Sequence, residues 1–357
     1  MKEASSSIVE RLKTLLEDYM QTIIASSIAF IITLQGSGDW LIVPMRFFSY
    51  LGTEDFFFLV LPLIYWSIDP ALGLRVAFIL TTSNFFNYIG KLIFMAPRPY
   101  WVSSHVRALW TETTFGIPSG HAQNAATIWG IIAAYSKRKW IWVAAILLIF
   151  LIGFSRIYLG SHFPHDVIFG WLLGAVIVWA FMSFWKPVGA WVGNKTLGQQ
   201  MSIISMVAVI LIVVGLGMVS LRSSYQLPDN WLNNALLAGT EELHPIDAND
   251  TFTIAGSFFG LAMGAAWIMS LGGYQATGPV WKRAIRYVIG LVGVLILWMG
   301  LGAIFPRGDG ALIYTLRFIR YTLIGLWVTG GAPWVFMKFK LAPRVRALLQ
   351  SDIIATN

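Results

Sequence analysis

Three short polar constellations interrupt an otherwise mostly apolar stretch between Lys91 and Asp166. The first is Lys91 and, after six residues, Arg98-Pro99. The second is Pro118-Ser119-Gly120-His121. The third is Ser155-Arg156, then His162 after five residues and Asp166 after three more. Three cations, two histidines, two hydroxyls and a carboxylate are the parts needed to hold a phosphate group and attack it.

Each constellation has its own logic. Pro118-Ser119-Gly120-His121 precedes an apolar run, as a helix start does: Ser119 suits the cap, and Gly120 permits close backbone approach. Free N–H groups at such an end bind phosphate oxygens, although an ordinary capped helix reads the same way. His162 and Asp166 lie four residues apart around Pro164, which suits a first helical turn. A carboxylate there holds one ring N–H and leaves the other nitrogen's lone pair facing outward, the arrangement of an oriented nucleophile. A structural pair capping the helix is the alternative, and His165 is the neighbouring competitor. Lys91 shares a helical face with Asn84 and Asn87, and Arg98 sits in a loop stiffened by Pro97 and Pro99. An arginine suits bidentate phosphate binding and a lysine adds a point charge, but either could also snorkel to lipid headgroups. Three cations gathered in one place would repel one another unless an anion lay between them.

The order and spacing of these pieces resemble the type-2 phosphatidic acid phosphatase family, kin of the vanadium haloperoxidases. The family signature is K-x6-R-P, P-S-G-H and S-R-x5-H-x3-D, and every fixed position is met here. The resemblance covers residues 55–185. It implies a core of six membrane helices and no need for a metal or other cofactor. It makes His162 the nucleophile of a phosphohistidine intermediate, oriented by Asp166. His121 becomes the acid that protonates the leaving oxygen, and Lys91, Arg98, Ser119, Gly120 and Arg156 become the phosphate-binding set. The two histidines must hold opposite protonation states, from a common starting value near pH ~6.5.

The rest of the chain must place that set at a membrane. The sequence is 57% hydrophobic and 12% charged, with 17 Trp and 24 Phe, against roughly 25% charged in soluble domains. The expected fold is all-α: a polytopic bundle with the six-helix core and about four further C-terminal spans, since membrane helices need ~20 apolar residues each. Ten spans are predicted near 20–34, 55–69, 72–93, 121–136, 139–156, 166–185, 201–220, 252–273, 285–305 and 311–336. The organisation is then an interfacial amphipathic helix at 1–19, with Ile8, Leu12, Leu15 and Leu16 on one face, and the core at 20–186. A polar linker at 187–200, a four-span region at 201–341 and a cytoplasmic tail at 342–357 follow. There is no cysteine, hence no disulfide, thiolate metal site or cysteine nucleophile.

Of the 25 basic residues, 16 fall on the amino-terminal side of this arrangement and seven on the other, while Arg317 and Arg320 lie within the tenth span. The positive-inside rule then makes both termini cytoplasmic, in a plasma or inner membrane, with the three constellations on the opposite face. The net charge of +8 is thus a topology signal and gives no support to nucleic-acid binding. The stretch from Arg222 to Asp250 reads as an acidic surface loop or lid. Gly256, Gly260 and Gly264 let helices pack closely within the chain or in a homodimer through the C-terminal spans.

The function expected is a membrane phosphatase acting on a phosphorylated lipid, a monoester or pyrophosphate. A lipid phosphotransferase is a close variant, and a small soluble phosphate ester is a further substrate class. A transporter or flippase is the competing reading: Arg317 and Arg320 would suit it, or would simply reach the interface.

Overall fold

The computed structural model describes residues 2–345, with side chains from Tyr19 onward. The apolar face of residues 8–16 and the tail beyond 345 lie outside what is described. The fold is all-α, as expected, and no β-strand occurs among the described residues. Six helices are long and apolar enough to cross a membrane, and a bent pair at Tyr19–Gln35 and Asp39–Tyr50 gives a seventh candidate.

The first helix, α1, runs unbroken from Lys2 to Gln35, with no interruption between residues 19 and 20. The chain then turns by 91° into α2 (Ile42–Tyr50). α3 (Glu54–Leu63) begins where the Thr53 hydroxyl accepts the Phe56 N–H at 3.2 Å. A π-helical turn, Ile64–Ile68, carries it to a sharp corner. There Asp69 caps α4 (Pro70–Phe94), accepting the N–H groups of Ala71 and Leu72 at 2.8 and 3.1 Å, with Pro70 in the first turn. α4 stops at Met95, whose φ of 46° is left-handed. Pro97 and Pro99 then bar a helix until the single turn α5 (Pro99–Val102).

A loop leads to α6 (Gly120–Ser136), α7 (Lys139–Tyr158) and α8 (Pro164–Gly193). α6 and α8 approach closely because Gly170 and Gly174 carry no side chain. A Cβ on Gly170 would stand 2.7 Å from the Ser119 carbonyl oxygen, and one on Gly174 2.7 Å from the Ala126 Cβ. The carboxyl ends of α4 and α7 and the amino ends of α6 and α8 meet at one end of the bundle. These are the ends that carry the three constellations.

α8 continues through Pro187 to Gly193, so only residues 194–196 of the expected linker separate it from α9 (Leu197–Arg222). The stretch after Arg222 is a packed cap rather than an open acidic loop. It contains α10 (Asp229–Leu237), whose Ala235 joins Trp101 and Phe115 in one apolar cluster with Trp231 beside it. Asn234 Nδ2 donates to the Trp101 carbonyl at 3.0 Å. The apolar residues between the acids decide this segment; Asp229, Glu241 and Glu242 are exposed, while Asp250 lines a cavity inside the bundle.

The C-terminal part comprises α11 (Asn249–Ser270), α12 (Val280–Leu295), a π-helical turn with α13 (Leu301–Ile304), α14 (Ala311–Leu326), a second π-helical turn and α15 (Ala332–Lys338). The glycine stripe of α11 is filled within the chain by α14. A Cβ on Gly260 would meet the Thr322 carbonyl oxygen at 2.1 Å, and one on Gly256 the Phe318 carbonyl oxygen at 2.6 Å. This region docks on the α3–α4 corner, where Trp66 Nε1 donates to the Val328 carbonyl at 2.8 Å and Tyr65 to that of Thr329 at 3.1 Å.

Candidate active site

A ladder of amides sets the position of the Pro118–His121 turn. Asn87 Nδ2 donates to the Pro118 carbonyl at 3.2 Å and to Gln123 Oε1 at 2.9 Å. Gln123 Nε2 donates to the Ser83 carbonyl at 2.8 Å, the Ser83 hydroxyl to Asn124 Oδ1 at 2.6 Å, and Asn124 Nδ2 to Asn84 Oδ1 at 2.8 Å. These buried bonds tie α4 to α6 where an unpaired amide would be costly. Ser119 sits in the cap position of α6 but makes no capping bond, so its hydroxyl is left over.

On the other side of the bundle end, His162 and Asp166 meet as their spacing predicts, with Nδ1 3.3 Å from Oδ2. The same Oδ2 accepts the Phe163 N–H at 2.9 Å, which fixes the carboxylate at the start of α8. A guanidinium only donates, so Arg98 Nη1, 3.1 Å from His162 Nε2, assigns the lone pair to Nε2 and the proton to Nδ1. His165 stacks its ring on Phe163 with centroids 5.1 Å apart and stands on the other carboxylate oxygen, its Nε2 3.3 Å from Asp166 Oδ1.

The cations converge. Arg98 is fully buried and donates to the carbonyls of Thr114, Phe115 and Ser161 at 2.5, 3.1 and 3.0 Å. Lys91 Nζ donates to Thr114 Oγ1 at 2.7 Å, and Arg98 Nη2 reaches the same hydroxyl at 3.1 Å. Arg156, also fully buried, donates to Ser49 Oγ at 2.5 Å and lies over the Trp110 ring at 5.4 Å.

Part of the anion demanded by this convergence belongs to the chain itself. Glu112 receives Arg98 Nη2 at 3.0 Å, is ion-paired to Arg156, and stands 3.8 Å from His121 Nδ1. Sequence reading missed it, although it is the sole acidic residue between Lys91 and His121. Burial pushes the Glu112 carboxyl upward, but the guanidinium groups of Arg98 and Arg156 outweigh that and hold it well below the usual carboxylate range. His162 is held well below the usual histidine value by burial and by the same two arginines, so its ring is neutral at neutral pH. Glu112 pulls the other way and is outweighed.

Glu112 takes up only part of what the arginines offer. Moreover Ser119 Oγ, His121 Nε2 and Arg156 Nε are buried without a hydrogen-bond partner in the protein. They come from two segments, the start of α6 and the end of α7.

Residues 72–189 match the family model described as PAP2 superfamily. The chain carries a PAP2 superfamily domain. Residues 252–344 match a second model, the transmembrane extension of PAP2 superfamily phosphatases. Together with the apolar helices, the domain and its extension make the chain an integral membrane protein. Glucose-6-phosphatase 3 of Homo sapiens is 26% identical over 355 residues, 90% of this chain and 97% of that one. Phosphatidylglycerophosphatase B of Bacillus subtilis is 29% identical over 161 residues, 41% of this chain and 75% of that one. Undecaprenyl-diphosphatase of Sulfolobus acidocaldarius is 34% identical over 98 residues, 28% of this chain and 40% of that one. The PAP2 domain holds Lys91, Arg98, Ser119, Gly120, His121, Arg156, His162 and Asp166, and Glu112 besides.

A cavity of about 440 Å³ lies beside this centre; His162, Arg98, Arg156 and Ser119 are not among the residues that line it. Lys91, Glu112, Gly120 and His121 line its polar end. Phe57 and Leu61 of α3 and Leu80 of the domain face Ile254, Leu261 and Val328 of the extension along the rest.

Proposed function

We propose that the protein is a membrane phosphatase that cleaves a lipid phosphate or pyrophosphate through a phosphohistidine on His162, with its site on the non-cytoplasmic face. The cavity carries this reading. It leads from Lys91 and His121, beside the cationic centre, to apolar walls between domain and extension, where a phosphorylated headgroup can sit with its hydrocarbon chain alongside. The relatives named for phosphatidylglycerophosphate and undecaprenyl diphosphate support a lipid substrate, and the bias of basic residues supports the sidedness.

In the proposed reaction His162 Nε2 gives up its bond from Arg98 and attacks phosphorus. The ester P–O bond breaks, and the leaving oxygen takes a proton from His121. Glu112 is the carboxylate nearest that ring and supplies the counter-charge an imidazolium needs. Asp166 receives the Nδ1–H as the Nε2–P bond forms. Water then attacks phosphorus and gives one proton to His121; the P–Nε2 bond breaks as Asp166 returns its proton to His162 Nδ1, which releases inorganic phosphate and restores all three groups. Lys91, Arg98, Arg156, Ser119 and the backbone at Gly120 hold the equatorial oxygens, since this transfer needs charge neutralisation and positioning above all.

A soluble ester is the second reading. It is favoured by the glucose-6-phosphatases, which match nearly the whole chain, and by Glu54, Asn84 and Asp250 on the cavity wall, which suit hydroxyl groups. The deciding measurement is phosphate release in detergent, with chelator, from phosphatidic acid, phosphatidylglycerophosphate, undecaprenyl diphosphate and glucose 6-phosphate. At least one lipid is expected to exceed glucose 6-phosphate about tenfold in kcat/KM, about 1.4 kcal/mol of differential binding. His162→Ala should release none. A preference for glucose 6-phosphate would replace the lipid reading with the soluble one, and an active His162→Ala would remove the intermediate.

A further inference from the structure

A second cavity, of about 430 Å³, lies wholly within the extension. Arg307, from the loop before α14, and Arg317 and Arg320, from α14 itself, line it together with Trp298 and Phe305. Among the described residues none of the three arginines has a carboxylate within ion-pairing distance. Arg317 spends one N–H on Thr253 Oγ1 at 3.1 Å, and Arg320 spends one on the Trp298 carbonyl at 2.6 Å. Arg320 Nε is buried with no partner. Gly302 keeps that guanidinium in place, because a Cβ there would stand 2.6 Å from Nη2. Three cations with donors to spare, two of them in a membrane segment and the third in the loop at its start, call for an anion that the described residues do not provide.

The surroundings identify its source. Met299, Ile304 and Leu312 beside the cleft are 63%, 77% and 68% exposed, as residues facing hydrocarbon are. An anion reaching Arg317 and Arg320 here arrives with its chains in the bilayer. We propose that this cleft binds the phosphate headgroup of an anionic phospholipid, separate from any substrate in the first cavity. The two sites share a wall. Thr253, which holds Arg317, and Tyr321, whose ring lies 5.6 Å from the Arg320 guanidinium, both line the first cavity.

The test uses the full chain in nanodiscs of phosphatidylcholine mixed with phosphatidylglycerol, with the lipids retained after mild delipidation counted by native mass spectrometry. Juxtamembrane basic residues attract anionic lipid strongly enough that three should enrich phosphatidylglycerol on the order of a hundredfold over its bulk share. Arg317→Gln/Arg320→Gln should reduce that to about fivefold. Arg307→Gln, in an exposed loop where misfolding is not at issue, should cost about fivefold. Turnover of a soluble aryl phosphate shows that each variant is folded. No enrichment in the native protein, or the same enrichment in all variants, overturns the proposal. So does stabilisation by inorganic phosphate without phosphatidylglycerol enrichment, since the cleft would then serve a soluble anion.

Discussion

The PAP2 domain and its extension both carry arginines inside a membrane bundle, and they treat them in opposite ways. In the domain, Arg98 and Arg156 are fully buried, share one carboxylate and are held by carbonyls or a serine hydroxyl. In the extension, Arg317 and Arg320 are only partly buried and hold one hydrogen-bond acceptor each. The first arrangement fixes donors in advance around a reacting centre, where preorganisation lowers the barrier. The second leaves donors over on a lipid-facing wall. The difference teaches that the same residue type marks chemistry in one half and surface recognition in the other, and that the partner decides which.

Arg156→Ala should break the first arrangement most severely. It removes a phosphate donor, worth about 10²–10³ in kcat, and takes from Glu112 one of its two arginine partners, leaving Arg98 to hold it, which lowers stability. Phosphate release and thermal denaturation measure the two effects separately. Arg317→Ala should leave both close to wild type; an equal loss there would erase the contrast between the regions.

Glu112→Gln should come next. Because the Glu112 carboxyl is held below its unfolded value, its ion pairs stabilise the fold fully above the unfolded value of ~4.3. That contribution is lost as pH falls through the depressed folded value. The melting temperature of Glu112→Gln should therefore lie below wild type at pH 7 and approach it in strong acid. A constant offset at all pH values would show that Glu112 does not brace the arginines through its charge.

The pH profile sharpens the comparison further. His162 stays neutral well below the usual histidine range, so the acid limb of kcat/KM should fall well below pH ~6.5. Substitutions at Arg317 or Arg320 should not move it. An acid limb near the unperturbed value would mean that the arginines do not govern the nucleophile.

The eight motif residues were legible because each sits at a helix end, where short sequence spacing nearly determines spatial neighbours. His162 and Asp166 needed one helical turn, and Ser119 only the start of an apolar run. Glu112 was not legible: its partners Arg98 and Arg156 lie 14 and 44 residues away, and a single acid in a loop carries no periodicity. The helices were legible from apolar length, but their continuity was not. α8 passes through Pro187, because a proline in a membrane helix is tolerated where neighbouring helices, hydroxyl side chains, water or local adjustment re-satisfy the freed backbone groups. α10 was hidden by the acids around it, since Trp231 and Ala235 have meaning only against Trp101 and Phe115.

The smallest expected effect tests whether the extension merely encloses the cavity or also selects what enters it. Leu261 reaches the apolar end from α11, far along the wall from Lys91 and His121. Leu261→Trp adds bulk there without touching the cationic centre, and overpacking at such a site costs about 1–3 kcal/mol. If a hydrocarbon chain occupies that end, kcat/KM for a long-chain lipid phosphate should fall about tenfold, the equivalent of 1.4 kcal/mol. A water-soluble short-chain ester should keep its rate, because its phosphate meets an unchanged set of donors. An equal loss for both substrates would mean that the substitution disturbs the domain itself, and the extension would then be a structural buttress rather than a wall that reads the chain.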